Sequence, residues 1–193
     1  MARRVLIIQG HPDPAGGRLC HALGDAYAGA ALEAGHSVAR LDVARLDFPL
    51  LRTAAEFEKG APPPDIAAAQ AAILRAGHLL IVYPLWLGGM PALMKGFLEQ
   101  ALRPRFAFEE ARTLSGGRLK GRSARIVVTM GMPALAYRWY FGAHSLRSLE
   151  RNILRFCGIA PVRSSLFGMV EAASPAKRAK WLETMRALGR AAH

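Results

Sequence analysis

Three short runs in this chain are apolar almost from end to end: "RVLIIQ" at 4–9, "HLLIVYP" at 78–84 and "SARIVVTM" at 123–130. A strand with one wet face alternates polar and apolar residues. A short continuous run therefore reads as a strand buried on both faces, the habit of parallel sheets. Parallel neighbours need long crossovers, and helical crossovers cover the two faces.

The intervals between the runs carry helical patterns. Leu19, Leu23, Tyr27, Ala30 and Ala31 fall at three- and four-residue steps over 19–34, and Gly35 follows as a C-cap. Further helices are predicted at 65–76 with Asp65 as N-cap, at 91–102 with Pro91 in the first turn, at 144–156, and after Ser174-Pro175. "SVARLDV" at 37–43 and "APVRSSLFG" at 160–168 read as two more strands. Residues 44–64, which end in "GAPPPD", read as a loop, as do residues 103–122 with Gly116 and Gly117. Five β-α units predict an α/β three-layer sandwich: a parallel sheet of order 2-1-3-4-5, in one domain over residues 1–193.

Composition narrows the class. Apolar residues make up 52% and charged residues 21% of the 193-residue chain, which is a globular balance. No apolar stretch reaches the roughly 18 residues that span a bilayer, and the opening "MARRVLIIQG" is too short for a signal-peptide core. A cytoplasmic protein without membrane insertion is expected. Cys20 and Cys157 have no metal or redox spacing and read as reduced structural residues; the histidines are dispersed, so no metal is expected. The net charge of +12 comes mostly from arginines scattered along the chain without interleaved aromatics. That pattern favours attraction of an anionic cofactor over nucleic-acid binding.

In a sheet of this order, ligands sit beyond the C-terminal strand ends at the switch point between strands one and three. Three segments follow strands one, three and four. "GHPDPAGGRL" leads from a strand into a helix N-terminus, which favours an anion; the same glycines and prolines also suit a plain tight turn. "PLWLGGMP" places Trp86 beside small residues, either as ordinary core or as an apolar wall with backbone donors for a flat heterocycle. "TMGMPALAYRWYFGAH" is rich in aromatics, as a pocket lining or a subunit interface is. His36 and His78, at element boundaries, read as surface or capping residues.

"RVLIIQGHPDP…RLCHAL", "PLWLGGMPALMKGFLEQ" and "FCGI" together resemble the flavodoxin-like NAD(P)H dehydrogenase (quinone) family over residues 4–168. The resemblance implies a flavodoxin-like fold and a non-covalent flavin, FAD in the well-known quinone reductases and FMN in shorter relatives. It also implies a homodimer that takes hydride from NADH or NADPH and reduces a quinone or similar small acceptor in two-electron, ping-pong turnover. Carried onto this sequence, His11, Gly17, Arg18, Leu19 and Cys20 would surround the phosphate and ribityl chain. Pro84, Leu85, Trp86, Leu87 and Gly88 would line the ring, and Thr129, Met130, Gly131 and Met132 would complete its polar edge. Tyr137 and His144 stand nearest to the Tyr and His that assist hydride transfer in the family, at a different spacing. The chain departs from the family with Gly-Arg-Leu-Cys in place of Ser-Phe-Asn at the first helix, and with Thr-Met-Gly-Met-Pro in place of Thr-Gly-Gly after strand four. Rival expectations are a flavin electron carrier, which this basic charge disfavours, and a regulatory subunit of a larger partner.

Overall fold

A computed structural model describes residues 2–109 and 117–192; Gly116, placed in a loop above, lies outside the described residues. The strands are β1 (Arg4–Gln9), β2 (Ser37–Asp42), β3 (His78–Pro84), β4 (Ser123–Met130) and β5 (Val162–Gly168), all parallel, in the order β2-β1-β3-β4-β5. The strands that read as continuous apolar runs occupy the middle. All seven residues of β3 are buried, as are the last five of β1 and the last seven of β4.

Alternate residues of the central strands feed two cores. Leu6, Ile8, Leu79, Ile81, Ile126 and Val128 face one layer of helices, while Val5, Ile7, Leu80, Val82 and Val127 face the other. The first layer contains α3 (Pro64–Arg75), α4 (Ala92–Ala101) and the segment after β4; the second contains α1 (Leu19–Glu33) and α7 (Pro175–Ala191). This is the expected three-layer sandwich.

The structure differs from the sequence reading at several edges. Residues 44–64 hold a 3₁₀ turn, Val43–Arg45, and a short α2, Ala54–Lys59, whose start is capped by Thr53 Oγ1 accepting from Glu56 N at 3.1 Å. Asp65 is not the cap of α3: Pro63 stands there, and the Asp65 carboxylate accepts from Asp47 N at 2.8 Å instead, fastening the preceding loop. The aromatic segment after β4 forms a short α5, Ala134–Trp139, before α6, His144–Arg147, which runs on in π-helical turns over Ser148–Arg155. His78 is buried rather than a surface residue; its Nδ1 lies 2.8 Å from Ser123 Oγ, and its ring stacks on Tyr27. His36 ties Arg3 N to its Nδ1 at 3.0 Å and places Nε2 3.1 Å from Arg190 O. Cys20 and Cys157 are free and buried, and burial pushes both thiols up, to about 11 and about 12.

Two glycines test the packing of α1 on α7. A Cβ at Gly189 would lie 2.3 Å from the Tyr27 carbonyl oxygen, whereas one at exposed Gly29 would meet nothing within 4 Å. Gly189→Ala is expected to cost about 2 kcal/mol by forcing the helices apart. Gly29→Ala is expected to add up to about 1 kcal/mol of helix stability. Urea unfolding of the two variants beside the parent measures both.

Candidate functional site

Three strand-end loops meet at the C-terminal edge of the sheet. Gly10 N donates to Val82 O at 2.7 Å, prolonging the ladder past β1, and Leu85 N donates to Thr129 O at 2.7 Å, prolonging it past β3. Gly10 has no room for a side chain: a Cβ there would sit 2.8 Å from Met94 Sδ. The His11 ring meets the Trp86 ring edge-on at 6.1 Å, which joins the first loop to the second. Cys20 Sγ lies 3.1 Å from Thr129 Oγ1, which joins α1 to the third. The expected convergence of His11, Cys20, Leu85, Trp86 and Thr129 is therefore present as direct contacts.

The first loop is organised by Asp13, whose part the sequence reading missed. Its Oδ1 accepts from Ala15 N at 3.0 Å, an Asx turn legible in "PDPA". Its Oδ2 accepts from Arg18 Nε at 3.0 Å and Nη2 at 2.8 Å, and Arg18 holds the Asp13 carboxyl below its ordinary range. Asp13 thus neutralises Arg18. Arg45 donates to Pro14 O at 3.0 Å and pins the loop from outside. Gly16 and Gly17 both take left-handed φ values, +77° and +70°, with open space at each Cβ position. The backbone then turns into α1, where the first-turn N–H groups of Leu19 and Cys20 have no intrahelical acceptor.

His11 Nδ1 accepts from Asp13 N at 3.1 Å, so the neutral ring carries its proton on Nε2. Desolvation lowers the His11 pKa, with smaller contributions from His21, whose ring lies 5.2 Å away, and from Arg18. Desolvation and Arg40 lower that of His21.

The second loop is a two-residue turn. Trp86 and Gly89 exchange both backbone hydrogen bonds at 2.9 Å, with Leu87 at φ +45° and Gly88 at φ +75°, the signs of a type I′ turn. Trp86 is half exposed and Leu87 fully exposed, so Trp86 is not ordinary core. Pro84 is buried at the end of β3. Beyond β4, Thr129 and Met130 are buried, Gly131 is exposed and Met132 is half-buried. Among the described residues the N–H groups of Leu87, Gly88, Gly131 and Met132 form no hydrogen bond.

Tyr137 and His144 lie in the segment after β4. Tyr137 is buried, its hydroxyl 2.7 Å from Ser145 Oγ and accepting from Leu146 N at 3.2 Å. That bonding makes Tyr137 a fastener between α5 and α6. His144 is exposed at the start of α6, and among the described residues no hydrogen bond or ring contact joins it to His11, Trp86 or Thr129. The aromatic segment exposes Trp139, Tyr140 and Phe141. Among the described residues no His, Cys, Asp and Glu group could hold a metal, and no helix is long and apolar enough to cross a membrane.

A glycine-turned loop and an exposed indole thus border the switch point of the parallel sheet, the place where doubly wound α/β folds bind their ligands. The family model for the flavodoxin-like fold matches residues 3–188, and the chain belongs to that family. It is 34% identical over 110 residues to an uncharacterized NAD(P)H oxidoreductase of Haemophilus influenzae, covering 56% of this chain and 54% of that protein. It is 28% identical over 132 residues to the NAD(P)H dehydrogenase [quinone] 1 of Rattus norvegicus, covering 66% of this chain and 48% of the rat protein. These alignments thus span about half the length of either relative. The solved NAD(P)H:quinone oxidoreductase of Methanothermobacter marburgensis shares the fold with a TM-score of 0.84 at 24% identity, over 100% of this chain and 98% of that one.

The two histidines make stability depend on pH. Their folded pKa values lie below the ordinary 6.5, so between the folded and unfolded values the unfolded chain binds more protons. Stability is expected to be full above about pH 6.5 and to fall as pH drops below it. The double substitution His11→Gln/His21→Gln is expected to flatten that fall, as read by denaturant midpoints across the range.

Proposed function

We propose that the protein is a flavin-dependent NAD(P)H oxidoreductase that reduces quinones or similar small acceptors. The observation that carries the reading is the junction of the three loops through His11–Trp86, Leu85–Thr129 and Cys20–Thr129. In this reading a helix start that favours an anion, an aromatic wall and unclaimed backbone donors would serve one ligand. The names of the curated relatives, an NAD(P)H oxidoreductase and a quinone dehydrogenase, support the same class.

The residues fit a flavin. Gly16 and Gly17 leave room for a phosphate at the start of α1. The first-turn N–H groups and His11 Nε2–H would donate to it. Trp86 would wall the ring and exclude water. The N–H groups of Leu87, Gly88, Gly131 and Met132 would hold negative charge at the ring's polar edge, where preorganised donors act most strongly. Thr129 Oγ1 lies against the buried, protonated Cys20, so that pair supports the crevice from below rather than reacting in it. A bound flavin supplies the hydride and electron chemistry. Binding of NAD(P)H and acceptor in turn at one crevice gives parallel-line kinetics.

Charge pairing favours FMN over FAD. The crevice beyond the loop has a volume of about 160 Å³ and is lined by Asp13, Asp25 and Asp42 as well as Arg40 and Arg45. Arg40 binds both Asp25 and Asp42, Arg18 binds Asp13, and Arg45 lies 4.0 Å from Asp42. Each guanidinium is matched by a carboxylate, which leaves no uncompensated cation for a second phosphate.

Purified protein is expected to carry, or take up, FMN, identified by mass after extraction, and to oxidise NAD(P)H with a simple quinone. A failure to bind any flavin would overturn the reading; bound flavin without turnover would favour a carrier or a regulatory subunit. Trp86→Ala is expected to weaken flavin binding about tenfold, the loss of one aromatic stacking contact. The exposed Trp139, Tyr140 and Phe141 also support a homodimer. The triple alanine variant at these positions is expected to sediment as a monomer where the parent sediments as a dimer.

A further inference from the structure

We propose that the protein carries a second anion site at the opposite end of the sheet, one that binds a compact phosphate-bearing small molecule. A cleft of about 610 Å³ lies there, among the segments that lead into β1, β3, β4 and β5. Small-molecule sites typically enclose about 300–1,000 Å³. Six cations line the cleft (Arg3, Arg4, Arg75, Lys120, Arg122 and Arg163), and no Asp or Glu does.

The charge is held in place. Gly77 N donates to Arg4 O at 2.8 Å, Ser123 N to Gly77 O at 3.1 Å, and Ala160 N to Arg122 O at 2.9 Å, so the cations spring from backbone tied into the ladder. Arg122 is locked by the end of α3, donating to Ile73 O at 3.0 Å and Leu74 O at 2.7 Å, and Arg3 donates to Ala192 O at 3.1 Å. Among the described residues both side chains meet only carbonyls. Among the described residues Arg4, Arg75, Lys120 and Arg163 make no side-chain hydrogen bond or salt bridge. Elsewhere Arg18, Arg40, Lys95, Arg155, Arg186 and Arg190 each have a carboxylate partner. The cleft thus brings six cations together in one concave place with no carboxylate in its lining. Low-dielectric walls there focus their field on an anion.

The shape and lining select the occupant. No Phe, Tyr or Trp lines the cleft, so nucleic-acid bases have no stacking platform. Leu74 is its one large aliphatic side chain, too little apolar surface to anchor in a membrane. Guanidinium and ammonium groups around a cavity of this size match clustered phosphate oxygens, which accept charge-assisted hydrogen bonds.

Calorimetric titration with inorganic pyrophosphate tests the site on the full chain, with flavin added to fill the loop at the other end. The expected result is one pyrophosphate per chain, weakened at least about tenfold in Arg4→Gln/Arg163→Gln by the loss of two charged hydrogen bonds. The same loss is expected in Arg75→Gln/Lys120→Gln, while His11→Gln is expected to leave binding intact. Thermal melts confirm that these surface variants fold. Binding indifferent to both double substitutions, or abolished by His11→Gln, would overturn the proposal. So would absence of pyrophosphate binding, including the case in which duplex DNA or phosphatidylserine vesicles bind through the same arginines. The titration reads this cleft whether or not flavin binds, so its outcome is separate from that of the oxidoreductase reading.

Discussion

The parallel ladder does not stop where the strands do. Gly10 N reaches Val82 O, and Leu85 N reaches Thr129 O, one step beyond the regular pairing of β1 with β3 and of β3 with β4. Those two bonds fix three loops relative to one another with the precision of the sheet. Everything at the crevice follows from them: His11 can meet Trp86, and Cys20 can meet Thr129, because the strand ends beneath are in register. Burial of β3 on both faces makes the register hard to shift, since a one-residue slip would exchange Leu79 and Ile81 for Leu80 and Val82 in each core. A binding site built on such a frame is set before any ligand arrives, and this lowers the ordering cost of binding.

Much of this was legible in the residues. The apolar runs marked β1, β3 and β4 because a doubly buried strand has no need of alternation. The three loops were legible because sheet order alone dictates which strand ends face the crevice. What was hidden depends on side-chain partners far apart in sequence. Asp13 bonds both Ala15 N and, five residues on, Arg18, and the sequence pattern shows only the first. Tyr137 stands out only through the family resemblance; that its hydroxyl bonds Ser145 and Leu146 is seen in the fold alone. His78 read as a boundary residue, and the ring lies buried on Tyr27 from another element. Asp65 looked like a cap by position, and Pro63 took the place because a proline at the first helical residue, Pro64, needs no N–H there.

The two ends of the sheet have opposite surfaces. Past the C-terminal ends of β3, β4 and β5 lie Trp86, Leu87, Leu135, Trp139, Tyr140, Phe141 and Met169, all large apolar side chains left exposed. At the N-terminal ends lies a cleft of cations without a carboxylate. Five arginines and Lys120, scattered in sequence, meet in this cleft because each strand of a parallel sheet begins at the same edge. A basic residue just before or at the start of any strand lands beside those of the others, which is why a dispersed pattern in the chain becomes a focused one in the fold.

Leu87 makes the same point about the apolar end. A leucine in left-handed backbone costs about 1–2 kcal/mol against the right-handed alternative, and here it is also fully exposed, with its neighbour Gly88 already supplying the easier residue for such a turn. Folding of the isolated chain gains nothing from it: no core receives the side chain, and the turn would close with glycine at less strain. The residue is costly in the free protein twice over, in backbone strain and in apolar exposure. Both costs would be recovered by an apolar surface laid against the turn, whether a flat ligand ring beside Trp86 or a second chain over Trp139, Tyr140 and Phe141. A strained, exposed leucine between an indole and a glycine is what the proposed binding surface would call for, since strain concentrates where binding needs it.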